Sequence, residues 1–353
     1  MRRFCLALIG CLALIGGTNA VAGDKRMETA LKTAFENGEL SGLHAVLVLR
    51  EGRVFAEAYF PGEDERWGTP LGLRDHGPEV LHDIRSVTKS IVSLLYGIAL
   101  ADALVPALDT PLVDAFAGYP DLAADPARRT ILVSHALTMT MGTEWNEDLP
   151  YTDPRNSEIA MELAPDRVRF ALDRPIVETP GTRWDYNGGA TALIGRLIEI
   201  GTGMTLDEFA EERLFAPLGI TEHDWVRGGD DRPSAASGLR LTARDLAKIG
   251  VMVGVGGRYE DAQIVPADWI KAALAPRMSA EGLRYGYFWW LADQGDPPSW
   301  VAGFGNGGQR LSINAGLGLV VVVLAGNYNR PDAWQLPVKV ITDFVVPSMR
   351  AAN

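Results

Sequence analysis

Residues 91–100, Ile-Val-Ser-Leu-Leu-Tyr-Gly-Ile-Ala-Leu, are apolar on nearly every side of a helical wheel. Such a segment needs protein all around it, unlike an amphipathic helix lying at a surface. It is opened by His82-Asp83-Ile84-Arg85-Ser86-Val87-Thr88-Lys89-Ser90. Ser86 and Lys89 stand at spacing i, i+3, which puts both side chains on one helix face. A serine hydroxyl is a weak nucleophile until a base takes its proton. A lysine is such a base only when neutral, and burial in apolar surroundings favours the neutral amine. The chain has six lysines against 27 arginines, and arginine does not deprotonate in proteins. A helix N-terminus also offers free N–H groups to an oxyanion. A serine at a helix start is equally an ordinary cap, so the reading turns on what lies downstream.

The two ends of the chain differ in kind. Arg2 and Arg3 precede an apolar run over residues 4–15, and Ala20-Val21-Ala22 places small residues at a cleavage site. Residues 1–22 therefore read as a secretory signal peptide, with a periplasmic or secreted destination. Leu8-Ile9-Gly10-Cys11 offers the alternative of lipoprotein anchoring at Cys11. Cys5 and Cys11 are the only cysteines, so the mature chain is expected to have neither disulfide nor thiol nucleophile. No later segment has the roughly 18 uninterrupted apolar residues of a membrane span. The formal charge of −12 becomes −14 once Arg2 and Arg3 are removed. With no basic stripe, nucleic acid is not an expected partner.

Along the chain, residues 44–50 and 53–60 read as two strands joined by a tight turn at Glu51-Gly52. Residues 61–80 read as a loop. From 101 to 220 the pattern is mainly helical, with helices expected over 158–173, 190–201 and 206–214. A helix over 241–253 starts at Thr242 or Ala243. Strands are expected over 285–291, 300–303, 309–314 and 317–324, then a terminal helix over 334–347. Strands at both ends with helices between imply one sheet built from the two chain ends, with a helical region inserted.

Two further clusters carry chemistry. Thr179-Pro180-Gly181-Thr182-Arg183-Trp184-Asp185-Tyr186-Asn187-Gly188-Gly189 is a loop that sets a phenol and an amide just ahead of a helix. A phenol can pass a proton to a leaving group or help a lysine remove one. Gly303-Phe304-Gly305-Asn306-Gly307-Gly308-Gln309 parses as G-x-G-x-x-G, but a dinucleotide site needs a helix after the glycines and a strand follows here. A glycine-rich strand edge suits close approach of a ligand to backbone N–H groups. There is no G-x-S-x-G elbow. His44, His76, His82, His135 and His223 show no ligand spacing, so no zinc site and no other metal or cofactor is expected.

In this order the three clusters resemble the penicillin-recognising serine hydrolases. The likeness is to the branch of class C β-lactamases, family VIII carboxylesterases, D-aminopeptidase-like enzymes and 6-aminohexanoate-dimer hydrolases. Ser86-Val87-Thr88-Lys89 matches its S-x-x-K motif, Tyr186-Asn187-Gly188 its tyrosine motif, and Gly305-Asn306-Gly307-Gly308-Gln309 its glycine-rich strand motif. Tyr151-Thr152-Asp153-Pro154 and Tyr285-Gly286-Tyr287-Phe288-Trp289-Trp290 fit as well. The resemblance implies an α/β, β-lactamase/transpeptidase-like fold: an antiparallel sheet from residues 23–100 and 221–353 flanked by helices, with 101–220 inserted. It implies a Ser86 acyl-enzyme, with Lys89 and Tyr186 managing the proton. Asn187, Asn306, Gly307, Gly308 and Gln309 would meet the substrate or its oxyanion. The expected substrate is a small ester or amide; the alternatives are a β-lactam, a D-amino-acid peptide, or a slow sensor that binds without turnover. Two departures stand out. Gly188 sits where the tyrosine motif often has Asn, and Asn306 where the strand motif often has Lys or His.

Overall fold

The computed structural model describes residues 24–351, so the signal-peptide reading of 1–22 and the question of Cys11 lie outside the described residues. The run Leu-His-Ala-Val-Leu-Val-Leu-Arg forms strand Leu43–Arg50, buried on both faces. A strand apolar on both sides must lie in the interior of a sheet. It pairs with Arg53–Tyr59 on one side and Leu319–Ala325 on the other. Glu51 and Gly52 both take positive φ, 51° and 73°, the backbone of a two-residue hairpin turn whose twist matches its strands.

All eight strands of this sheet are antiparallel. The order is Met278–Ala280, Leu283–Tyr285, Trp290–Leu291, Val301–Gly305, Gln309–Asn314, Leu319–Ala325, Leu43–Arg50 and Arg53–Tyr59. Alternation along the strands sends Val46, Val48, Val321 and Val323 to one face, against Met27 and Leu31 of helix Lys25–Glu36 and Leu336 and Val340 near the C-terminus. Ala45, Leu47, Leu311, Val320 and Val322 face the main core. There they meet helix Ala243–Gly254, which Thr242 caps through the Asp245 N–H, and helix Val87–Ala101.

Helix Val87–Ala101 is buried without a break from Val87 to Ala99, as its all-round apolar sequence requires. The sheet covers one side, and helix Gly188–Thr202 of the mainly helical region covers another. At Gly97 the Trp269 indole occupies the space a β-carbon would need. The indole Nε1 donates to the Ser93 carbonyl at 2.8 Å.

Three elements differ from their expected form. Residues 61–80 are not simply a loop. Strands Gly62–Arg66 and Thr69–Arg74 make a hairpin about Trp67-Gly68, both at positive φ, and its charged sequence hides the strand period. The expected strand over 285–291 is broken by Phe288 at φ 61° into Leu283–Tyr285 and Trp290–Leu291. The expected helix over 158–173 divides into Ser157–Glu162 and Arg167–Leu172, the second capped by Asp166.

Candidate active site

Arg85 sits at φ 49°, a left-handed conformation costly for a non-glycine residue and persisting only where its surroundings enforce it. Ion pairs with Glu65 and Asp83 hold its guanidinium. This kink turns the chain into helix Val87–Ala101, with Ser86 at the N-cap position. Ser86 makes no side-chain cap bond, which disposes of the ordinary-cap reading. Its Oγ instead receives the Lys89 Nζ at 3.1 Å. The backbone bonds of this turn begin with Val87 N–H to the Ile84 carbonyl, so the Ser86 N–H lies ahead of the ladder.

Lys89 is 1% exposed, yet it is not the neutral amine that burial alone would give. Its Nζ lies 3.1 Å from Glu158 Oε2 and donates to the Ala236 carbonyl at 2.9 Å. Burial pulls the ammonium pKa down. The Glu158 carboxylate, with Tyr186 and Glu147 beyond it, outweighs burial and holds the amine above the ordinary lysine range. Glu158 is itself 1% exposed and receives the Ser237 hydroxyl on Oε1 at 2.6 Å. The expectation of a neutral lysine is therefore corrected: at rest the group beside Ser86 is a cation, held by a carboxylate that no motif announced.

Tyr186 completes the cluster. The Lys89 Nζ stands 4.9 Å from its ring centroid, and Tyr186 lines the same cleft as Ser86. Burial raises the phenol pKa and the Lys89 charge lowers it, with a net upward shift. Behind it lies Glu147, whose Oε1 accepts from the Trp145 Nε1 at 2.6 Å and from the Gly188 N–H, while Oε2 accepts from the Tyr151 hydroxyl at 2.9 Å. Burial first, and then the Glu158 charge, push Glu147 up to about 8. Gly188 is the departure noted in the tyrosine motif. A β-carbon there would collide with Glu158 and lie 3.0 Å from Glu147 Oε1. The side chain is absent because two carboxyl groups fill its place.

The remaining candidates divide. Asn187 is buried, and its Oδ1 accepts the Ala190 N–H at 2.9 Å as the cap of helix Gly188–Thr202. It is not among the residues lining the cleft, so the expected substrate contact is replaced by a cap. The Gln309 side chain is bound to the Ala325 backbone at both ends and is 1% exposed, which leaves only its main chain for a ligand. Gly307 and Gly308, at φ 90° and 96°, form the tight connection between strands Val301–Gly305 and Gln309–Asn314. Asn306 is at the cleft edge and pairs reciprocally with Asn329, donating from Nδ2 at 2.9 Å and accepting the Asn329 N–H at 2.7 Å.

Ser86 opens into two cavities. One of about 190 Å³ is bounded by Glu65, Trp67, Tyr151, Ile159 and Ser237. The other, about 550 Å³, is walled by Trp184, Tyr186, Trp290 and Phe304 on one side and by Asn306 to Gln309 on another. Trp290 stacks on Phe304 at 5.0 Å. Arg310 lies over the Phe304 ring, 3.6 Å from its centroid, and burial lowers its guanidinium to about 10. A nucleophile-bearing hydroxyl, a fixed cation and a phenol thus meet at the floor of a cleft with aromatic walls.

Comparison with known proteins finds relatives of the whole described fold. The chain is 25% identical to the 6-aminohexanoate-dimer hydrolase of Paenarthrobacter ureafaciens over 311 residues, covering 82% of this chain and 73% of the relative. It is 28% identical to the lovastatin esterase of Penicillium rubens over 246 residues, 62% of this chain, and spans only 56% of that relative's length. Among solved structures, EstCE1, a hydrolase with promiscuous acyltransferase activity, superposes with a TM-score of 0.70 at 15% identity, over 90% of this chain and 97% of the other. The octameric penicillin-binding protein homologue from Pyrococcus abyssi gives 0.68 at 18% identity, over 91% and 77%. At those identities the likeness concerns the fold. The family model described as Beta-lactamase matches residues 30–334, and the chain belongs to the Beta-lactamase family, within the penicillin-recognising serine hydrolases.

Proposed function

We propose that the protein is a serine hydrolase that cleaves small ester or amide substrates through an acyl-enzyme on Ser86. The observation that carries this is the uncapped Ser86 hydroxyl, 3.1 Å from a buried lysine in a cleft that the Tyr186 phenol also lines. Ser86 Oγ bonds to the substrate carbonyl carbon as its proton passes to the Tyr186 oxygen. The Tyr186 proton moves on to the departing alkoxide or amine. The carbonyl π pair goes to oxygen, where the Ser86 N–H and main-chain N–H groups of the Gly308-Gln309 strand edge stabilise it. Collapse expels the alcohol or amine. Water then releases the acid by the same path in reverse and returns a proton to Ser86. The charged Lys89 takes the part of an electrostatic stabiliser, favouring negative charge on either oxygen, while Tyr186 carries the proton.

An active-site serine probe such as a fluorophosphonate is expected to label the peptide holding Ser86 and no other. Labelling that persists in Ser86→Ala would overturn the assignment.

The substrate class follows from Asn306. A cation facing a substrate carboxylate makes a charge-assisted bond of roughly 1.5–3 kcal/mol. Asn306 has no charge and is already paired with Asn329. The guanidinium of Arg310, 8% exposed, lies 3.6 Å from the Phe304 ring centroid. Short p-nitrophenyl esters are therefore expected to be turned over, with nitrocefin at least about tenfold poorer in kcat/KM. Equal values for the two on one preparation would remove this reading of the substrate while leaving Ser86 in place.

A further inference from the structure

We propose that His44, His76 and His82 form a binding site for one divalent transition-metal ion of the zinc type, separate from the serine chemistry. The three histidines lie 38 residues apart in sequence at their widest, which is why their spacing carried no signal. Folded, one ring nitrogen from each lies within 4.8 Å of the others. His44 and His82 are each 1% exposed.

Each ring presents an identifiable atom. The His82 Nδ1 is 2.9 Å from the Asp83 carbonyl oxygen, a bond only an N–H can make. The proton is thereby fixed on Nδ1, and the Nε2 lone pair faces the cluster, the arrangement expected of a metal-ligating imidazole with a carbonyl partner behind it. The Nε2 edge of His44 is closed off by main chain: a β-carbon at Gly326 would lie 2.7 Å from it, and one at Gly62 would collide with it. His44 therefore offers Nδ1, which sits 2.9 Å from His82 Nε2. The His76 ring stacks on His44 at 4.0 Å, and its Nε2 is buried without a hydrogen-bond partner. Asp64 is 4% exposed, with Oδ1 3.8 Å from His82 Nε2. Its Oδ2 also has no hydrogen-bond partner, though the Arg240 guanidinium lies 3.6 Å away.

A chain of hydrogen-bonded imidazoles accounts for the His44–His82 contact but leaves the His76 Nε2 unserved. Buried polar atoms are seldom left so. One cation accepting all three rings serves it as well. Imidazole nitrogens suit zinc and its neighbours rather than magnesium or calcium.

The backbone is shaped for this. His44 lies at a register shift in its strand, and Asp64 at another in the hairpin. Bulges of this kind re-aim side chains. Behind the donors, the Tyr328 hydroxyl donates to Asp64 Oδ1 at 3.3 Å. An ion here ties together the first sheet strand, the loop that follows the hairpin, and the segment leading from His82 into Ser86. It would act as a structural clamp.

The full chain, dialysed against EDTA and then against Zn²⁺ or Co²⁺ with excess removed, tests this. One ion per chain should be retained. The Co²⁺ form should show the visible absorption of a low-coordinate nitrogen/oxygen site, and Zn²⁺ should raise Tm over the chelated protein. His76→Asn, on a half-buried loop, should bind at least about tenfold more weakly, lose the Co²⁺ absorption, and unfold at the Tm of chelated wild type. His223→Asn should change none of these. Wild type that retains no ion and shows no Zn²⁺-dependent Tm shift would overturn the proposal, as would His76→Asn with an unchanged Co²⁺ spectrum. Labelling of Ser86 is read separately, so failure of the metal site leaves the hydrolase reading intact.

Discussion

Lys89→Met is expected to lower kcat/KM by about 10²–10³-fold, the scale on which one fixed electrostatic stabiliser contributes to catalysis, and to cost roughly 3–5 kcal/mol of stability. Methionine fills nearly the same volume, so the loss is one of charge rather than packing. It leaves the Glu158 carboxylate, 1% exposed, with the Ser237 hydroxyl as its remaining side-chain partner. An unpaired buried charge is what makes removal of one partner so costly. Adding Glu158→Gln to Lys89→Met removes that charge and keeps a Ser237 acceptor. The double variant should regain most of the stability and none of the activity. Urea unfolding alongside ester kinetics reads both quantities. A single Lys89→Met variant as stable as wild type would show that the Lys89–Glu158 pair does not hold the site together.

Glu147→Gln should make the protein more stable at alkaline pH and alter it little at acidic pH. The carboxyl group is pushed up to about 8 by burial and the Glu158 charge, from an ordinary value of 4.5. In the unfolded chain it ionises near 4.5. In the folded chain it holds its proton to about 8, so the folded state binds more protons in that window and loses stability as pH rises. The loss amounts to at most roughly 1.4 kcal/mol per pH unit. It is complete above about 8. Glutamine imitates the protonated acid: its oxygen can take the Trp145 and Gly188 N–H groups, and its amide can donate to the Tyr151 oxygen. Denaturant midpoints of both proteins from pH 4 to 9 should diverge steadily in favour of the variant. Parallel curves would mean that Glu147 ionises normally in the fold.

Much of this architecture was legible because burial leaves a strong imprint on sequence. The all-round apolar helix after Ser86, the strand run over 319–325 and the Glu51-Gly52 turn each admit few alternatives. The link between the two chain ends followed from where the strands fell. What stayed hidden was tertiary. Glu158 is one acid among many until the fold sets it 3.1 Å from Lys89, and its presence reverses the protonation that burial alone implies. Asn187 looked like a ligand-facing amide beside Tyr186, but the local demand of a helix N-terminus claims it. The hairpin over 62–74 was masked by charged residues, of which Asp64 turns inward. The histidines of its neighbourhood come from separate stretches of chain, and only the topology makes them neighbours.

The sheet also sets an order of events in making the protein. Strand Leu43–Arg50 has partners on both sides, and one of them, Leu319–Ala325, leaves the ribosome about 280 residues later. Ser86 and its helix are synthesised early, yet the strand that supplies Gly308 and Gln309 to the cleft, and the partner that locks the first strand, come near the end. A nascent or partly threaded chain therefore carries Ser86 without the surface that completes its cleft. Long-range pairing of this kind delays closure of the core until late in translation. The proposed nucleophile meets its whole cleft only once the sheet is complete.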